Sequence, residues 1–335
     1  MAKQVVVAFP AWYRVRSLIW ARDRLLDPVG GEASVGLDGS VTPGSVNWTY
    51  EFDQALASDD GETTVLYTAL GTKGLVVRGR REVREINRSY YHASVYEYPI
   101  TVGRLHDGTD VLIHCPDGYN RLAIETLADG KRLASATDQA ADLFHSRLRL
   151  SPDGRRLLTA GWFWHPYGVV AIYDLMHARE DPTALDHGDT SHEPAVHAEV
   201  ESACWLTSDQ VVLSTSPEEE PLRDSDSTAL GPGELGVWSI SQRQWIARST
   251  SGGHTGTLHA IGRHVLALYE HPRLLDPVTG AVIDAWPGLA TGTQTSSILV
   301  DDGLAPAVAV DAANGRFAVA SNNVVTVIQL PSAAT

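Results

Sequence analysis

Cysteine is nearly missing from these 335 residues: only Cys115 and Cys204 occur. Two cysteines far apart, with no metal-ligand spacing around them, exclude a disulfide framework and fit a reducing compartment. Basic residues are also scarce, with 26 Lys and Arg against 41 Asp and Glu and a formal net charge of -15. Phosphate backbones and anionic lipids need a positive footprint, so neither nucleic acid nor membrane is expected as a partner. No apolar run approaches the roughly 20 residues of a membrane-spanning helix. The start is Met1-Ala2-Lys3-Gln4-Val5-Val6-Val7-Ala8-Phe9-Pro10, with Arg14, Arg16 and Arg22 soon after. It has neither a full apolar leader region nor a small-residue cleavage site, and the expected localisation is cytoplasmic. Gly-x-Ser-x-Gly, phosphate-loop and dinucleotide fingerprints are missing as well.

What is present is repetition. Arg24-Leu25-Leu26-Asp27-Pro28-Val29-Gly30-Gly31 returns as Arg273-Leu274-Leu275-Asp276-Pro277-Val278-Thr279-Gly280, each copy after a short apolar and aromatic run. Polar pairs separate apolar runs at Asp60-Gly61, Asp107-Gly108, Asp153-Gly154, Ser208-Asp209, Gly262-Arg263 and Asn314-Gly315. Asp-Gly and Asn-Gly supply the positive φ angles of tight hairpins. A second signal follows, an apolar run ending in an acidic residue and a Gly turn, at residues 25–32, 124–132 and 274–282. Each unit reads as strand, tight turn, strand, loop, strand, Gly turn, strand. Four antiparallel strands in about 40 to 50 residues make a propeller blade. With the turn near Tyr13 and Arg16 taken as the first, the hairpins number seven.

The expectation is therefore an all-β chain, a seven-bladed β-propeller of four-stranded antiparallel blades forming one domain over residues 1–335. Its approximate blades are 1–44, 45–87, 88–136, 137–186, 187–250, 251–290 and 291–335, with residues 3–9 and 324–330 closing the ring. Whether the first segment completes the last blade or begins the first is open from spacing.

Ser151-Pro152-Asp153-Gly154-Arg155-Arg156-Leu157-Leu158-Thr159-Ala160-Gly161 resembles the first hairpin of WD40-like and related bacterial seven-bladed β-propellers. Ile172-Tyr173-Asp174 and Val237-Trp238-Ser239 stand where the family places Trp-Asp. The resemblance implies the fold and, by analogy with the family, an interaction platform. Gly-His occurs convincingly once, at Gly253-His254, and Trp-Asp never, which puts the family's His-to-Asp hydrogen-bond network in question.

In such a blade the second-to-third-strand loops and the inter-blade connections share one face, and nearly all irregular sequence maps to it. Loops on a rigid scaffold are where binding and catalysis concentrate. That face offers Trp48, Tyr91, His92, Trp162, Trp164, His165, Tyr167, His254 and Glu270 for a ligand or partner. Trp162, Trp164 and Tyr167 either close the top of their blade or form an aromatic wall. Two readings stay open. One is a monomeric binding or scaffold module gripping a protein or small ligand. The other is an enzyme, a lyase, cyclase or hydrolase on a carbohydrate or natural product, with its site at the channel mouth. In the second, His92, His165, His197 or His254 would move a proton, partnered by Glu97, Asp117 or Glu270. The discriminator is whether these imidazoles converge on one cavity.

No cofactor fingerprint is present. The cluster His187, Asp189, His192, Glu193 and His197 holds residue types that suit a divalent metal, so His187, His192 and His197 are candidate ligands. His192 to His197 is one residue too long for the zincin motif, and Pro194 breaks the helix that motif needs. The acidic stretch at residues 216–226 reads as a solvated loop.

Overall fold

The computed structural model describes residues 2–164, 166–189, 192–218, 228–298 and 305–331. Its strands form seven antiparallel sheets arranged as a β-propeller. Blade 1 holds Ile19–Ala21, Arg24–Asp27, Ala33–Gly36 and Val41–Thr42. Blade 2 holds Gln54–Ala57, Thr63–Tyr67, Lys73–Arg78 and Arg81–Asn87. Blade 3 follows with Ile100–Arg104, Asp110–His114, Ala123–Thr126 and Arg132–Ser135. Blade 5 is Val200–Trp205, Gln210–Thr215, Glu234–Ser239 and Gln244–Thr250, and blade 6 is Leu258–Ile261, His264–Ala267, Arg273–Leu275 and Val282–Ala285. Middle strands such as Gln210–Thr215 are buried almost throughout because both faces lie against neighbouring blades, whereas the outer strand Gln244–Thr250 alternates exposed and half-buried residues.

Blade 7 settles the closure. Its own strands are Val308–Asp311, Arg316–Ser321 and Val324–Gln329, and the fourth, outer strand is Lys3–Ala8, paired from Lys3 opposite Gln329 to Ala8 opposite Val324. The N-terminal segment thus completes the last blade, covering an edge that would otherwise be open.

Two sequence expectations change. The first blade's hairpin is at Arg22 and Asp23, between Ile19–Ala21 and Arg24–Asp27, and not at Tyr13 to Arg16, which belongs to the connection from blade 7 to blade 1. The two copies of the eight-residue motif also occupy different places. In blade 1 it supplies the second strand and the loop to the third; in blade 6 it supplies the third strand and the turn to the fourth. What the motif encodes is a turn. Asp27 Oδ1 accepts the Gly30 N–H at 2.9 Å, Asp276 Oδ1 accepts those of Val278 and Thr279 at 2.9 and 3.0 Å, and Gly31 and Gly280 take φ of 80° and 71°. The local carboxylate-to-backbone chemistry is the same, and tertiary context decides where it is used.

The four-strand pattern holds in six blades. Among the described residues blade 4 has three strands, Arg149–Leu150, Arg156–Phe163 and Tyr167–Asp174, after which the chain enters the helix Leu175–Glu180 and the 3₁₀ turn Pro182–Leu185. Asp174 caps that helix by accepting from the N–H groups of Met176 and His177, and Leu175, Ala178 and Leu185 bury against the core shared by blades 3 and 4.

Ionic and polar ties join neighbouring blades. Arg80 reaches Glu32, Arg84 reaches Glu125 at 2.9 Å, Arg179 pairs with Asp107, and Trp205 Nε1 donates to the Arg149 carbonyl at 3.0 Å. Cys115 in blade 3 and Cys204 in blade 5 are both free and buried. Burial raises both thiols above their ordinary range, Cys204 to about 12. Thiol titration is expected to find no reactive cysteine in the native protein and both after unreduced denaturation; a thiol count of zero in denaturant would contradict the arrangement.

Candidate binding face

The ends of second strands and the starts of inner strands meet around the channel mouth. Tyr67, Ala69, Leu268 and Ser321 from the former, and Arg16, Asp53, Glu97 and Thr257 from the latter, line a cavity of about 590 Å³. Second-to-third-strand loops and inter-blade connections therefore share one face. A strap crosses it: the connection from blade 6 to blade 7 runs over to blade 3, where the Glu97 N–H donates to the Ser297 carbonyl at 2.9 Å and Tyr96 bridges Ile298. Gln294 Nε2 donates to Glu97 Oε1 at 2.5 Å, and Arg147 Nη2 to the Ser296 carbonyl at 2.6 Å. Nothing local in the sequence marks this long-range pairing.

Of the four candidate imidazoles, His165 lies outside the described residues, and His92, His197 and His254 occupy three separate surroundings, none lining the cavity. His259, on the inner strand of blade 6, does line it. Burial, then Arg149 and Arg147 nearby, push the His259 pKa well below the ordinary histidine value. The neutral ring is therefore held among cations. His254 is bound into the scaffold: Nδ1 meets the buried Glu201 carboxylate, whose other oxygen accepts the Thr255 N–H at 3.1 Å, while Thr255 Oγ1 donates to Ser214 at 2.6 Å. This is a His-to-Glu network, with the carboxylate on the inner strand of blade 5. His197 is half-buried, with Nδ1 unpartnered and its backbone N–H on Leu230. His192 pairs with Asp189 at 2.5 Å, and His187 lines a groove beside blade 4. Among the described residues no three His, Cys, Asp or Glu side chains converge as a metal site.

The remaining candidates also separate. Trp48 Nε1 donates to the Pro28 carbonyl at 2.8 Å, fixing the ring to blade 1. Glu270 holds the start of the blade 6 to 7 connection, its N–H on Gly292 at 2.6 Å, while Asp117 pairs with Arg132 at 2.8 Å. His114 is buried between Tyr98 and Glu125.

One group does converge. Phe144 stacks on Trp162 at 3.8 Å and on Tyr119 at 4.3 Å, and Tyr96 meets both Phe144 and Trp162 edge-on. Over this stack lie Tyr91, His92 and Trp164, with Tyr91 4.9 Å from Tyr119 and His92 5.1 Å from Trp164. Buried Arg88 organises the loop beneath them: its guanidinium donates to the carbonyls of Gly71, Ala69, Ala93, Tyr96 and Glu97 and covers the Tyr96 ring at 4.6 Å. Trp162 is only 4% exposed, while Trp164 is 52% and Tyr91 49% exposed. The strand residue Trp162 and the loop residue Trp164 thus have different jobs. Trp162→Ala is expected to destabilise the protein by about 3–5 kcal/mol, and Trp164→Ala by less than about 0.5 kcal/mol, in urea denaturation. Equal costs would contradict this division.

These features define a seven-bladed propeller of WD40-like architecture. Among solved structures, the chain is similar to one in the crystal structure of the mitotic checkpoint complex, with a TM-score of 0.61, 11% identity, and 98% of this chain and 95% of that one covered. It is similar also to BamB from Moraxella catarrhalis, with a TM-score of 0.55, 13% identity, and 100% and 99% covered. No protein-family model and no curated protein matches the chain. At these identities the likeness concerns the fold alone.

Proposed function

We propose that this chain is a non-catalytic, cytoplasmic binding module that engages a protein partner through the aromatic patch of blades 3 and 4. The observation that carries the reading is the exposed pair Tyr91 and Trp164, with half-buried His92 between them in sequence, resting on the rigid stack of Phe144, Trp162 and Tyr119. Rings held by packing bring large contact area with little rotamer entropy left to lose, which is what interface anchors need. The dispersed imidazoles weigh against proton-transfer chemistry at the channel mouth. No cofactor is required in this role.

The test places a photoreactive side chain at position 164, or on the opposite face at Asp107, and compares the crosslinked products in cell extract. A defined partner is expected from position 164 only, and lost in the Tyr91→Ala, Trp164→Ala double variant while the circular dichroism spectrum is unchanged. Capture from Asp107, or binding that survives the double variant, would refute the assignment.

A further inference from the structure

Among the described residues blade 4 stops at three strands, leaving a groove along the third. In the pairing of Arg156–Phe163 with Tyr167–Asp174, Thr159 stands opposite Ala171 and Gly161 opposite Val169. On the inner side, the N–H groups of Ala160 and Trp162 bond to Ser146 and Phe144. Antiparallel alternation then turns the peptide groups of Gly168, Val170 and Ile172 outward, to where six other blades carry a fourth strand. Ile172 is occupied, its carbonyl accepting from Asp189 at 2.7 Å and its N–H facing the Glu193 carboxylate. Gly168 donates its N–H to Glu199 Oε1 at 3.2 Å. Among the described residues the N–H and C=O of Val170 have no partner.

The groove beside Val170 has a volume of about 330 Å³, with Leu143, Val169 and Tyr173 on one wall and Pro194, Val196 and Ala198 on the other. Its far wall is anchored to blade 5. Trp238 Nε1 donates to the His192 carbonyl at 2.9 Å, Trp245 Nε1 to that of Ala195 at 3.2 Å, and the His197 N–H to that of Leu230 at 2.9 Å. The gap is therefore built into the fold. Glu193 also lines it, Oε1 lying so close over Gly188 that a Cβ there would come within 2.0 Å. Burial first, and then the charge of Asp189, raise the Glu193 pKa, and among the described residues no cation offsets them.

We infer that this groove takes an extended segment of another protein as the missing fourth strand of blade 4, with its backbone bonded to Val170, apolar side chains at alternate positions and a lysine or arginine reaching Glu193. An unpaired strand edge is a template for an added strand, with main-chain bonds giving affinity and alternate side chains giving specificity. Charge selects the occupant: a carboxylate without a cation calls for a basic segment, and a second copy of a chain with net charge -15 is repelled. This site is distinct from the aromatic patch and stands whether or not that patch binds a partner.

The probe is a short fluorescein-labelled peptide of alternating valine and threonine with one central lysine, titrated into the full chain by anisotropy while amide exchange at Val170 is followed. Saturation is expected to slow exchange at Val170. N-methylation of the peptide's pairing residue should abolish binding, and glutamate in place of its lysine should weaken it by about tenfold or more. Glu193→Gln should erase the preference for lysine. The Tyr91→Ala, Trp164→Ala variant should bind the peptide normally, which separates this site from the patch. No binding at millimolar peptide, indifference to N-methylation, or equal affinity of the lysine and glutamate peptides would each overturn the inference. So would protection of Val170 by self-association of the chain alone.

Discussion

Replacing Arg316 with methionine is expected to destabilise the protein by about 3–5 kcal/mol, the cost of breaking a buried ion pair from one side. The guanidinium, on the second strand of blade 7, is almost fully buried and all its contacts are used. Nε meets Asp311 at 2.8 Å, Nη1 meets Asp23 at 2.9 Å, Nη2 donates to the Arg22 carbonyl at 2.5 Å, and the plane covers the Trp20 ring at 4.1 Å. Blades 7 and 1 are thus joined inside the ring as well as through the outer strand Lys3–Ala8. Methionine keeps much of the stem's packing but leaves Asp311, itself only 13% exposed, without its cation. The comparison is Asp23→Ala, whose carboxylate is 86% exposed and whose loss should cost no more than about 1 kcal/mol. Urea midpoints measure both, and equal shifts would show that the closure does not depend on the buried pair.

The blade count was legible because each hairpin is local chemistry. Asp60-Gly61, Asp107-Gly108 and Asp153-Gly154 all place glycine at positive φ, with values of 71°, 87° and 67°. The same locality explains the misplaced first hairpin and the two unlike uses of the repeated motif, since a turn signal does not say which strands it joins. The third-strand end of blade 4 did carry a readable sign. Asp174 is a helix cap followed by Leu175, Met176, His177, Ala178, Arg179 and Glu180, mostly good helix formers, with no Gly turn leading to a fourth strand. Trp162 ends a run that is buried from Leu157 onward, and Phe163, the next residue, is exposed. The strap over the channel was not legible. Ser297 and Glu97 are brought together only by the closed ring. The candidate histidines scattered for the same reason: they sit on connections of different blades, and proximity to one face is not convergence on one point.

Acid should weaken the fold well before the surface carboxylates titrate, with His145 a principal cause. Its ring is 1% exposed between blades 3 and 4, edge-on to Tyr173 at 5.7 Å, with Nε2 3.3 Å from the Asn120 carbonyl and Nδ1 unpartnered. Burial pushes its pKa down to about 4, and the bond to Asn120 opposes this only in part. An unfolded histidine titrates near 6.5, so between pH 6.5 and 4 the unfolded chain binds a proton that the folded chain refuses. The protein is therefore more stable above that window, and stability falls as the pH drops through it, by roughly 3 kcal/mol for this one group. His114 and His259, also depressed by burial, act in the same direction. In His145→Gln the slope of unfolding free energy against pH should flatten between pH 6.5 and 4, whatever the variant costs at neutral pH. An unchanged slope, or a His145 imidazole seen by NMR to titrate near 6.5 in the folded protein, would show that the ring is hydrated and that the junction of blades 3 and 4 is open to water.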